Sequence, residues 1–272
     1  MPAPQSKTSR PISETLQEPH SRQVEALCER HGAYISTETT YYLFDKPSVH
    51  STGCPKCMAE RTAKRRADEI AAAAAEKSFR VAQLKAESRI PQRFAGSDFG
   101  SYRATERGQK IALSVCKAYA EKWPDRQEVG ASLVLTGLPG TGKTHLACAI
   151  ANSVMEEHTA SVLFCTVSAA LRAIKETYRK GSERGEQDVI NKLTRPALLI
   201  LDEVGVQVGS EHEKLLMFEI LNERYQDMKP TILVSNLSGG ELEEFLGQRV
   251  MDRYRECGSV IAFDWQSHRG QR

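Results

Sequence analysis

The chain has 272 residues, 26% of them charged and 40% hydrophobic, with a formal net charge of +2 at pH 7. That length carries one good-sized domain plus an accessory module, and the near-neutral balance excludes a uniformly basic nucleic-acid coat, so any such contact must be local. No run of 18 apolar residues and no apolar signal core occurs, which excludes a membrane partner and predicts a cytoplasmic protein.

Residues 1–20 hold four prolines among Ser, Thr, Gln and Glu; this composition buries no core and predicts a flexible tail. Residues 21–60 read as a zinc-binding module. Cys28-x-x-His31 and Cys54-x-x-Cys57 are two ligand pairs separated by 22 residues, with a β-rich stretch through Tyr41, Tyr42 and Phe44 between them. The paired spacing lets four side chains converge on one tetrahedral Zn²⁺ with no open position, a structural site and not a catalytic one. His50 is an alternative fourth ligand. The other cysteines, Cys116, Cys148, Cys165 and Cys257, stand singly among apolar residues and read as reduced packing residues.

Met58 to Arg89 is rich in Ala, Glu, Lys and Arg, with five alanines at 71–75, and predicts a long exposed helix whose 61–89 portion is a linker. Its cluster of Arg61, Lys64, Arg65 and Arg66 is either a solvated face or a surface for nucleic acid or an acidic partner. Pro91 breaks the helix and opens a second domain, 90–272. Gly108 to Trp123 predicts an amphipathic helix closed by Pro124.

Gly137-Leu138-Pro139-Gly140-Thr141-Gly142-Lys143-Thr144 meets every fixed position of the phosphate-loop pattern G-x-x-x-x-G-K-[ST]. The glycines let backbone N–H groups turn around a phosphate chain, Lys143 reaches the β/γ-phosphates, and Thr144 supplies a hydroxyl to Mg²⁺. A β-rich run, 131–136, leads in and a helical stretch from His145 leads out, the order that an ATP-binding loop requires. Further apolar runs at 161–166, 197–201, 231–235 and 259–263 alternate with helical segments, which predicts an α/β fold with a five-stranded, mostly parallel sheet covered on both faces. The run ending Leu201-Asp202-Glu203 supplies two acids at a strand end: Asp202 for Mg²⁺, Glu203 to orient and deprotonate the attacking water. Asn236 follows the 231–235 strand, where an amide can position the water or the γ-phosphate.

With these motifs in order, followed by Arg249-Val-Met-Asp-Arg253-Tyr-Arg255 and Phe263-Asp-Trp-Gln-Ser-His-Arg269, residues 88–272 resemble the AAA+ P-loop ATPases of the DnaC-type replicative helicase loaders and their IstB-type relatives. The resemblance implies an arginine finger at Arg253 donated to a neighbouring subunit, with Arg249 and Arg255 as alternatives, and a second sensor arginine at Arg269. It implies single-stranded DNA contacts at Tyr178, Ser210 and His212, the last departing from the tyrosine expected there. It also implies ATP-dependent delivery of a hexameric DnaB-type helicase, gripped by the N-terminal module, onto single-stranded DNA by an open spiral of self-associated subunits. A transposition helper ATPase and a zinc adaptor with a static ATP site are the competing expectations.

Overall fold

The structure, a computed structural model, describes residues 18–43, 46–183, 185–206 and 210–268. Most of the expected tail therefore lies outside the described residues, and His20 already opens a strand. The chain divides into two units, Met1–Ala75 and Glu76–Arg272.

In the first unit β1 (His20–Cys28), β2 (Gly32–Leu43) and β3 (Lys46–Ser51) form an antiparallel sheet in that order. The β1–β2 turn places Cys28 opposite Gly32, and Gly32 takes a φ of +78° that the turn requires. Only Ser36 and Cys54 are buried among the described residues of this unit, and Leu27 is 81% exposed. A sheet with so little core draws its stability from elsewhere. Helix α1 (Pro55–Glu87) starts on a proline, whose fixed φ suits a first helical position, and its alanine run favours helix without any packing partner. It stops before Pro91: Ser88 N–H still bonds the Leu84 carbonyl at 2.9 Å, and Arg89 turns into the left-handed region at φ +57°.

The second unit continues α1 and adds α2 (Arg107–Glu121) and α3 (Trp123–Glu128). Pro124 sits in the first turn of α3 instead of closing α2, because its missing N–H costs nothing there. The remaining elements are β4 (Ser132–Gly137), α4 (Lys143–His158), β5 (Val162–Thr166), α5 (Val167–Thr177), α6 (Glu186–Thr194), β6 (Leu198–Val204), α7 (Glu211–Gln226), β7 (Thr231–Ser235), α8 (Gly239–Leu246), α9 (Gln248–Glu256) and β8 (Gly258–Phe263). The strands form one sheet in the order β5-β6-β7-β4-β8, parallel at every pairing.

Side chains alternate across this sheet with the period of two that strands impose. Leu133, Leu135, Leu198, Ile200, Ile232 and Val234 pack with Leu146 and Ile150 of α4 on one face. Val134, Leu199, Leu201 and Leu233 pack with α5, α6, α7 and α9 on the other. One charge sits inside the second layer. Arg224, fully buried, donates Nε to Thr231 Oγ1 at 2.9 Å and its terminal nitrogens to the carbonyls of Leu193, Thr194, Pro196, Ala197 and Pro230 at 2.6–3.5 Å. Burial pushes its guanidinium down to about 10, still protonated at neutral pH. Because β7 lies between β4 and β6, the residues at their three C-terminal ends share one rim of the sheet.

Candidate functional site

That rim opens into a cavity of about 840 Å³ lined by loop residues Pro139, Gly140, Gly142, Lys143 and Thr144, by Asp202 and Glu203, by Asn236, and by Arg93, Phe94, His145, Val234 and His268. The loop's shape depends on glycine at two positions. At Gly137, φ +118°, a Cβ would run into the Phe263 carbonyl; at Gly142, φ +95°, it would come 2.6 Å from the Tyr102 ring. Any larger residue would be strained there and would also collide.

Lys143 Nζ donates to the carbonyls of Gly137 and Leu138, both at 2.7 Å. Thr144 Oγ1 donates to Asp202 Oδ2 at 3.0 Å, so the hydroxyl and carboxylate that the sequence assigns to one cation meet across the cleft. Asp202 is buried, and burial holds its carboxyl above the usual aspartate range against the lowering effect of the Glu203 N–H, which donates to Oδ1 at 2.8 Å. These oxygen donors fit a hard divalent cation. Glu203 takes φ +61° at the exit of β6 and is exposed at the cavity; a non-glycine residue held in that region is a strained position of the kind that collects at functional sites.

The arginines of α9 face elsewhere. Arg253 bonds Asn222 of α7 and lies over the Tyr225 ring, 5.0 Å from its centroid; it is not among the residues lining this chain's own cavity. Arg255 pairs with Glu243 at 2.5 Å and Asp252 at 3.4 Å, and Arg249 is exposed. Arg269 lies outside the described residues.

Tyr178 and His212, 34 positions apart, come together: Tyr178 Oη lies 3.3 Å from His212 Nε2, with ring centroids 6.2 Å apart. Tyr178 is half exposed at the end of α5, and Ser210 caps α7, its Oγ accepting the Glu213 N–H at 3.3 Å. Tyr178 also donates to the Glu186 carboxylate, which raises the phenol to about 12. The sequence gives no sign of this acid beside Tyr178.

In the first unit, one donor atom from each of Cys28, His31, Cys54 and Cys57 falls within 4.8 Å of every other. Cys28 and Cys57 sulfurs are 3.6 Å apart, and His31 Nδ1 lies 3.8, 3.6 and 3.2 Å from the sulfurs of Cys28, Cys54 and Cys57. Tetrahedral zinc with ordinary bond lengths sets sulfur–sulfur and sulfur–nitrogen edges of about 3.8 and about 3.6 Å, so the four donors fit such an ion. His31 Nε2 bonds Glu60 Oε1 at 3.0 Å, the outer partner that fixes a metal-bound imidazole. N–H groups of Arg30 and His31 hold the Cys28 thiol down to about 6, while Cys57, against that thiol, is pushed up to about 11. His50 instead packs edge-on to Tyr41 at 5.8 Å, so His31 is the histidine of this cluster.

The residues that brace the loop have no sequence motif of their own. Tyr102, Trp265 and His268 reach it from far apart in the chain, and Gln109 meets it only through the His268 ring.

A phosphate loop on β4, a strand-end acid on β6 and a five-stranded parallel sheet with β4 between β7 and β8 define a P-loop ATPase fold of the AAA+ type. More narrowly, the chain belongs to the IstB-like ATP binding protein family, whose model matches residues 68–267. It is 38% identical over 174 residues to the replicative helicase loader DnaC of Escherichia coli K12, covering 64% of this chain and 69% of that one. Among solved structures it is similar to the DnaC helicase loader, with a TM-score of 0.58 at 22% identity over 64% of this chain and all of the other. It is also similar to the replication initiator DnaA bound to AMPPCP and single-stranded DNA, with a TM-score of 0.54 at 23% identity over 65% of this chain and 52% of the other. Among the described residues no helix is long and apolar enough to cross a membrane.

Proposed function

We propose that this protein is a cytoplasmic ATP-dependent loader that delivers a hexameric DnaB-type replicative helicase onto single-stranded DNA. The observation that carries the reading is the Thr144–Asp202 contact beside Lys143 in a chain so similar to the DnaC loaders. Residues 137–144 cradle the triphosphate: loop N–H groups bind phosphate oxygens, and Lys143 exchanges its two carbonyls for the β/γ-phosphates. Thr144 and Asp202 would hold Mg²⁺, which when bound neutralises charge on the transferring phosphoryl group. Glu203 orients the attacking water and takes its proton, and Asn236 aligns that water with the γ-phosphorus. Arg253 serves a neighbouring subunit's site, a role supported by its placement away from its own cavity, while Arg269 acts in its own subunit.

Hydrolysis then requires assembly, because the guanidinium that stabilises the transferring group comes from the next copy in an open spiral. Tyr178, Ser210 and His212 bind the single strand by stacking and by phosphate contact. The 21–60 module, with Zn²⁺ on Cys28, His31, Cys54 and Cys57, grips the helicase; 61–89 links it to the 90–272 motor.

Mixing variants tests the shared site. Arg253→Ala and Lys143→Ala are each expected to lose DNA-stimulated phosphate release, Arg253→Ala while still binding ATP. An equimolar mixture should recover activity, because Lys143→Ala subunits lend Arg253 to sites with an intact loop. Normal hydrolysis by Arg253→Ala alone would remove the trans assignment. Transfer of a DnaB-type helicase onto circular single-stranded DNA tests the loader reading; stimulation of a transposase in its place would favour the transposition helper.

A further inference from the structure

The phosphate loop is tied to the end of β8 and the segment after it at three points. Leu138 N–H bonds the Phe263 carbonyl at 2.9 Å, His268 N–H bonds the Gly140 carbonyl at 3.0 Å, and Trp265 Nε1–H bonds the Thr141 carbonyl at 3.1 Å. A fourth bond reaches the same Thr141 oxygen from the other side of the sequence, from Tyr102 Oη at 3.1 Å. Both lone pairs of that carbonyl are thereby used. Both donors are set deep in the fold: Tyr102 is 8% and Trp265 5% exposed. Trp265 packs on Phe263 with centroids 4.7 Å apart, and burial holds the Tyr102 phenol neutral, a donor at every ordinary pH.

Peptide planarity gives these bonds a direction. In a trans peptide the C=O of one residue and the N–H of the next point opposite ways. Holding the Gly140 and Thr141 carbonyls outward therefore aims the Thr141 and Gly142 N–H groups into the loop, where a phosphate is bound by such amides. Free peptide planes could flip and present oxygen to the phosphate, replacing attraction by repulsion.

We propose that Tyr102 and Trp265 are a pair of positioning residues for nucleotide binding, acting jointly through the Thr141 carbonyl to fix the orientation of the Gly142 amide toward the ligand's phosphates. The pair rests on the ATP-binding reading of the loop and adds to it that the tail carrying Arg269 also shapes the phosphate cradle. Because either donor alone still pins the oxygen, the two are redundant.

The test uses Tyr102→Phe, Trp265→Phe and the double variant in the full-length chain; Tyr102→Phe keeps its ring and loses only the hydroxyl, whereas Trp265→Phe loses the donor N–H together with part of the buried ring, so the double variant is compared with Trp265→Phe. ATP affinity and melting temperature without nucleotide are measured for all, with Lys143→Ala as control. Each single variant is expected to bind ATP within about twofold of the parent. The double variant should bind about tenfold more weakly, with KM raised, kcat largely retained, and a nucleotide-free melting temperature within a degree or two of Trp265→Phe. Parent-like affinity in the double variant, or weakening matched by an equal loss of nucleotide-free stability, would overturn the proposal and leave the ATP site standing. If the parent itself binds no ATP, or Lys143→Ala binds as well as the parent, the reading of the loop fails first and the brace with it.

Discussion

If the proposed reading is right, removal of zinc from the Cys28–His31–Cys54–Cys57 cluster should abolish helicase capture and spare ATP binding. Of the first unit's described residues only Ser36 and Cys54 are buried. At about 25 cal/mol per Å² of apolar surface, one cysteine and one serine contribute no more than about 1–2 kcal/mol, whereas each ordered residue costs about 1–2 kcal/mol in backbone entropy. Structural zinc supplies roughly 10–16 kcal/mol in small domains, far more than the buried side chains among the described residues of this unit. A chelator, or Cys54→Ser, is thus expected to release one zinc per chain and collapse the 20–51 sheet, seen as loss of amide protection there. Helicase capture should vanish while ATP affinity stays within about twofold, since the Thr144–Asp202 site lies wholly in the second unit. Protein purified without zinc that keeps a protected sheet and captures helicase would refute this reasoning.

Other expectations follow from single groups. Burial raises the Asp202 pKa in the folded chain, so the folded state holds that proton more tightly than the unfolded one, and stability falls as pH rises through the gap between the two values. Asp202→Asn should therefore melt higher than the parent at pH 7 without nucleotide, abolish hydrolysis, and lose its stability advantage toward pH 3; a lower melting temperature at pH 7 would contradict the burial cost. Arg224→Ala leaves Thr231 Oγ1 and several backbone carbonyls unpaired in the core and should cost about 3–5 kcal/mol by denaturant titration; a loss under 1 kcal/mol would mean that water replaces the guanidinium. Tyr178→Ala should weaken single-stranded DNA binding by about 1–3 kcal/mol if the ring stacks on a base. Glu186→Gln, which removes the charge beside that phenol, should strengthen binding, and unchanged affinity in both would move the DNA path elsewhere.

Much of this architecture is local enough to be legible in the sequence. The loop at 137–144 needs glycines where the backbone turns left-handed, the strands need unbroken apolar runs, and the four metal donors need two x-x spacings; each is a short-range demand that residue order satisfies alone. Tertiary structure decided the rest, because it depends on which distant groups meet. Only folding puts β7 between β4 and β6 and so brings Thr144 to Asp202, selects His31 over His50, and sets Tyr178 against His212. It also sets Pro124 in the first turn of a new helix and turns Arg253 toward α7. Tyr102 and Trp265 carry no signature in the chain, because what they recognise is one backbone carbonyl, and a carbonyl looks the same at every position until the fold gives it a direction.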